Sequence, residues 1–144
     1  MLRISFFSLL LLLSLPSFSQ TRITWDRLSD VTFTDRYSKE LDAYYYFPNF
    51  GPSVLALNNK EVIIKGYLLE IDAGNDIYVL SANPFAACFF CGGAGPESII
   101  ELKVSKDHSR FKMDEVLTFR GKLKLNAVDL YQCNYILENA RVYQ

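Results

Sequence analysis

The chain has 144 residues, half of them hydrophobic, with 15 Lys and Arg set against 16 Asp and Glu for a formal net charge of −1. That length suits one domain around one core. With no long basic run, the composition excludes a protein that neutralises nucleic-acid phosphates.

The first residues, "MLRISFFSLLLLLSLPSFSQ", place Arg3 before an apolar run from Ile4 to Leu15. The run is too short for a membrane span, and Ser17 and Ser19 supply small residues where a signal peptidase reads. The expectation is export, with cleavage near Ser19–Gln20 and a periplasmic or secreted product. No second stretch is long and apolar enough to span a bilayer, so no transmembrane helix is expected in the mature chain.

Residues 20–60 read as an N-terminal extension. "WDRLSDV" suits a short helical turn, and "VTFTDRY" alternates as a strand. "LDAYYYFPNF" is extended until Pro48 and Gly51-Pro52 break it, and Asn58-Asn59 bend the chain into the next strand. Tyr44, Tyr45, Tyr46 and Phe47 bring aromatic surface with polar tips, the residue types that serve a partner or ligand contact. The plainer role for them is packing the extension onto the rest of the fold.

From residue 61 onward the pattern is β. "EVIIKGYLLEID" and "IYVLSA" are strands around an "AGND" turn, and "SIIELKV" is a third. "SKDHSRFKMDE" is a loop or one short helix. In "VLTFRGKLKLN", Leu117, Phe119, Leu123 and Leu125 take one face and Thr118, Arg120, Lys122 and Lys124 the other. "NYILENARVYQ" is the last strand. Two strands share a pattern, "IIKGYLLEI" and "TFRGKLKLN", each with a glycine at mid-strand, Gly66 and Gly121. Such a glycine marks a bulge or a barrel corner. The fold predicted is mainly all-β: a small five-stranded OB-like barrel over residues 61–144, with the extension added and the loop or short helix between strands 3 and 4. The two glycine-bearing strands, the first and fourth, should lie side by side where the barrel closes.

"PFAACFFCGGAGPES" carries the distinctive chemistry. Cys-x2-Cys from one loop is half of a common zinc site. Cys88 and Cys91 with Cys133 and His108 would use every Cys and His of the chain in a Cys3His set. The spacing matches no standard finger, and thiolates suit other soft metals as well. A Cys88–Cys91 disulfide is the second reading, fitting an oxidising compartment, with Cys133 as a buried free thiol. Thiol–disulfide exchange is the third, and the Gly-Gly-Ala-Gly-Pro that follows is a poor helix start for an activated cysteine. The glycines make a turn, because no Lys-Ser/Thr follows to complete a phosphate cradle. His108, Ser105 and Ser109 are too close in sequence to form a triad drawn from different parts of a fold, so no enzyme is expected.

"CFFCGGAGPESIIEL", preceded by "YVLSANPFAA" and followed by "FRGKLKLNAVDLYQCNYILENA", resembles an uncharacterised family of exported bacterial OB-like proteins with a Cys-Phe-Phe-Cys-Gly-x-Ala-Gly-Pro-Glu-like block. The resemblance runs from about Trp25 to Ala140 and implies export and the barrel. The wider group resembles periplasmic proteins with Cys-x2-Cys loops linked to metal-responsive transport, some of which have histidine where this chain has Gly92. The resulting expectation is a non-catalytic binding module that handles zinc through the Cys88–Cys91 loop for a periplasmic or membrane protein complex. The alternative is a protein-interaction module with a structural disulfide.

Overall fold

A computed structural model describes residues 21–72, 74–75, 77–104 and 111–144. The proposed signal peptide and His108 lie outside the described residues. Five strands close a barrel: β4 (Lys60–Asp72), β5 (Ile77–Ser81), β6 (Ile99–Val104), β7 (Val116–Leu125) and β8 (Tyr135–Val142). Their order is β4-β5-β6-β8-β7, with β7 returning antiparallel onto β4 and β6 running parallel to β8. This is the five-stranded OB-like barrel anticipated from the sequence. Before it come β1 (Thr21–Arg22), α1 (Trp25–Leu28), β2 (Val31–Ser38), β3 (Ala43–Phe50) and α2 (Pro52–Leu55). β1 joins the barrel sheet in parallel beside β4, whereas β2 and β3 form a separate antiparallel hairpin.

The alternation read in β7 is realised. Phe119 and Leu123 are fully buried, with Leu117 and Leu125 packed at the core's margin. On the outer side, Lys124 reaches Glu138 at 3.6 Å. In β4, Val62, Ile64 and Leu68 enter the same core. Leu28 and Val54, from the two short helices, join it and are fully buried. Two long-range bonds attach the first helix: Trp25 Nε1 donates to the Lys65 carbonyl at 2.8 Å, and Tyr135 Oη donates to the Leu28 carbonyl at 2.7 Å. No helix among the described residues is long and apolar enough to cross a membrane.

The two glycines stand where a corner and a bulge were expected: β4 passes from β7 to β5 at Tyr67, next to Gly66, and the β7–β8 register shifts across Gly121. The β4–β7 ladder runs from Lys60↔Leu123 to Tyr67↔Val116 without a bulge. The irregularity opposite Gly121 belongs to β8, which carries one extra residue where Asn139 takes φ +53°. The glycines make room for a neighbouring backbone. A Cβ on Gly66 would lie 2.5 Å from the Ser81 carbonyl oxygen, and one on Gly121 would lie 2.6 Å from that of Glu138.

Between β6 and β7, residues 105–110 are outside the described set. The part that follows is a loop without helix. Asp114 N–H donates to the Leu68 carbonyl and Leu68 N–H to that of Glu115, both at 2.9 Å. Phe111 packs edge-on between Tyr78 and Phe119, with ring centroids 5.4 and 5.7 Å away.

Candidate functional site

β5 reads "IYVLS", apolar on both faces, and a strand of that kind is covered on both sides. Tyr78 and Leu80 point into the barrel. Val79 points outward, and with Leu69, Ile99 and Cys88 it forms a second small core. The cover is the cysteine loop, which descends in short 3-10 turns at Phe85–Ala87, Phe89–Cys91 and Pro96–Ser98. Asp114 Oδ1 accepts the Phe85 N–H at 2.8 Å and ties the loop to the β6–β7 connection. The Cys88 carbonyl accepts the N–H of Cys91 and of Gly93, folding the Cys-x2-Cys segment back on itself. Gly92 sits at φ +73°, the left-handed conformation that ends a helical turn at little cost for glycine.

All three cysteines are free thiols: Cys88 buried, Cys91 exposed and Cys133 half-buried. Partial desolvation raises the Cys91 thiol, and the Cys88 thiol, with which it interacts directly, raises it further. Cys133 packs against the second core from the far side. Its thiol is pushed up to about 12, first by burial and then by the Glu101 carboxylate, with Lys103 opposing. Among the described residues no three His, Cys, Asp or Glu side chains converge on a point that would hold a metal ion. Cys88 and Cys91 therefore offer two sulfurs, and Cys133 does not complete a set with them.

What the fold does assemble is a cleft of about 570 Å³ on the outer face of β5 and β6. Ile77, Val79, Ile99 and Glu101 make its floor. Phe89, Phe90 and Pro96 of the cysteine loop form one wall, and the segment from Ala127 to Asn134 between β7 and β8 forms the other. The hairpin contributes Leu41, Tyr45, Tyr46 and Pro48. The far wall is shaped by Asn126. Its Oδ1 accepts the N–H of Val128 and Asp129, and its Nδ2 donates to the carbonyls of Asp129 and Cys133. Tyr131 Oη reaches Glu40 Oε1 at 3.3 Å and links this wall to the hairpin end.

The four aromatic residues singled out in the sequence divide between two places. Tyr45 and Tyr46 line the cleft. Tyr44 packs edge-on against Tyr37, 5.4 Å between centroids, and Phe47 lies under the Arg36 guanidinium. Sequence reasoning missed Glu101, Asn126 and the segment after it. The two-faced apolarity of "IYVLS" was the available signal, since an apolar outer face has to be covered.

The fold and cleft define a class: an OB-like barrel with a pocketed β5–β6 face. No family model matches the chain, and no curated protein matches it. Among solved structures it is similar to a DUF3299 family protein from Pseudomonas aeruginosa PAO1, with a TM-score of 0.51 and 16% identity over 88% of this chain and 97% of that one. At that identity the likeness speaks for the fold alone.

Proposed function

We propose that this chain is an exported, non-catalytic binding module serving a periplasmic or membrane-associated assembly, and that the cleft on the β5–β6 face is where it binds. The observation that carries the reading is position. In OB barrels the outer face of the second and third strands is the general ligand surface, and the cleft lies on that face here, walled by the loop after the second strand and the loop after the fourth. Its volume falls within the range of small-molecule sites, and its lining is mainly apolar with a few polar groups, the usual make-up of such sites. Nucleic acid fits poorly. Single-strand binders pair stacking rings with a basic groove, and the described lining has the rings without Lys or Arg.

The test is amide chemical-shift mapping with a set of small aromatic fragments. Shifts are expected at Tyr45, Phe90 and the Ala127–Asn134 segment, and they should be lost in Tyr46→Ser/Phe90→Ser while the rest of the spectrum is kept. Shifts confined to another surface would overturn the reading.

A second reading is favoured by the turn that folds the Cys-x2-Cys segment back on itself, with the Cys91 and Gly93 N–H groups on the Cys88 carbonyl. In it the loop presents two sulfurs to a soft metal, zinc by the chemistry of the pair, and a partner supplies the remaining ligands. Native mass spectrometry of the exported protein, without reductant or chelator, separates the states. A zinc adduct on the reduced chain, abolished by Cys88→Ser/Cys91→Ser, is the expected result of metal handling. A metal-free species about two mass units light, from the two hydrogens lost in one disulfide, would replace it with a structural staple.

A further inference from the structure

We infer that the cleft selects a small apolar organic cation, one whose hydrocarbon body fills the space over the β5–β6 face while an amine or quaternary ammonium group rests against the tyrosines at the mouth. This rests on the cleft being the binding site and adds the chemical class of its ligand.

The walls account for the apolar body. Ile77, Val79 and Ile99 lie beneath it, with Phe89 and Phe90 beside it. The rim is aromatic and open to water: Tyr46 is 63% exposed and Tyr131 75%. Ring faces carry negative quadrupole potential and attract cations, quaternary ammonium groups most characteristically.

Charge then decides between a cation and a neutral or anionic ligand. The charged residues of the described lining are Glu101 and Asp129, both acidic. Glu40, hydrogen-bonded to Tyr131 Oη, adds a third carboxylate at the rim. Two cations stand near: Arg36, cross-strand from Tyr45 with its guanidinium over the Phe47 ring, and Lys103, which pairs with Glu101 Oε1 and has a half-exposed side chain. The three carboxylates outnumber them. An anionic ligand would meet repulsion in a site of reduced dielectric.

Hydrogen-bonding capacity argues against a sugar, the other ligand that aromatic rims favour. Several polar groups of the far wall and floor are already engaged within the protein. Asp129 Oδ1 accepts the Tyr131 N–H at 3.0 Å, and Oδ2 accepts Gln132 Nε2 at 2.9 Å. Asn134 Nδ2 donates to the Asn126 carbonyl at 3.2 Å, and Glu101 Oε2 accepts the Cys133 N–H at 3.1 Å. A sugar needs unoccupied donors and acceptors, whereas a carboxylate that accepts hydrogen bonds keeps its charge and still attracts a cation.

The experiment is calorimetry with probes of matched shape: 2-phenylethyltrimethylammonium, the neutral 3,3-dimethylbutylbenzene, the anionic 3-phenylpropionate, and a cello-trisaccharide. The cation should bind roughly tenfold more tightly than the neutral isostere, with the anion weakest. Asp129→Asn with Glu101→Gln, the latter keeping an acceptor for the Cys133 N–H, should erase most of that preference by weakening the cation far more than the neutral probe. Neutral binding equal to cationic binding, tighter anion binding or tighter trisaccharide binding overturns the charge inference while the cleft stands as the site. Failure of every probe at millimolar concentration overturns both.

Discussion

Gly66→Ala combined with Gly121→Ala should lower stability by roughly 2–6 kcal/mol, about 1–3 from each site, because the two lie apart in the ladder and their costs should add. The added methyl at Gly66 would meet the Ser81 carbonyl oxygen at 2.5 Å, Leu80 Cγ at 2.9 Å and Trp25 Cζ2 at 3.0 Å. At Gly121 it would meet the Glu138 carbonyl oxygen at 2.6 Å and Leu137 Cγ at 2.9 Å. The closest atom in both cases is backbone, held by strand pairing, and it has no rotamer to escape into. The sign is informative. Where the backbone tolerates it, Gly→Ala stabilises by about 0.4–1 kcal/mol through the unfolded chain. For a domain whose total stability is of order 5–15 kcal/mol, that loss is a large fraction of the whole. Urea midpoints for wild type, each single variant and the pair provide the measurement. A neutral or stabilising result at either position would mean that the close approach does not govern barrel closure.

Tyr135 is expected to give the second large effect, in two stages. Its ring is fully buried and packs against Phe50 with centroids 5.7 Å apart, while its hydroxyl bonds the Leu28 carbonyl. Burial, followed by the Glu97 and Asp30 carboxylates, holds the phenol above its ordinary range, so it remains a donor at neutral pH. Tyr135→Phe keeps the ring and leaves the Leu28 carbonyl without that donor, at a cost of about 1–3 kcal/mol. Tyr135→Ala removes the ring as well and should cost about 3–5 kcal/mol, as other large aromatic truncations do. Guanidinium denaturation of the three proteins gives the ladder. A Phe variant as stable as wild type would show that the Tyr135–Leu28 bond adds nothing to the attachment of the first helix, which the Trp25–Lys65 bond and packing would then supply.

How far the site was legible is clearest at particular residues. Tyr45 and Tyr46 stood out because four aromatics run together, yet nothing in that run separates them from Tyr44 and Phe47. Tyr44 and Tyr46 share one face of β3 and Tyr45 and Phe47 the other, so which ring of each pair reaches the cleft depends on where the hairpin lies over the barrel. Glu101 reads as an ordinary polar residue on the outer side of "SIIELKV". It gains its role from Cys133, thirty-two positions away, whose N–H it accepts. The Cys88–Cys91 pair was plain from its spacing, and the folding-back of that segment follows from local turns. The distance of Cys133 from that pair does not, because it depends on where the β7–β8 loop lands.

Local pattern was enough for the five barrel strands, the inward face of β7 and the pairing of the two glycine-bearing strands. Period-two alternation and the positions of Gly, Pro and Asn are local properties of the chain, and they survive without knowledge of any neighbour. Tertiary structure was needed to show that Gly66 and Gly121, besides marking the corner and the register shift, make room for a neighbouring carbonyl. It also decided that the outer face of β5 and β6 is roofed by the cysteine loop and the hairpin, and that an acidic, aromatic-rimmed cleft results. Those features are made by residues far apart in the chain, brought together by barrel closure, and no periodicity within a single segment encodes such a meeting.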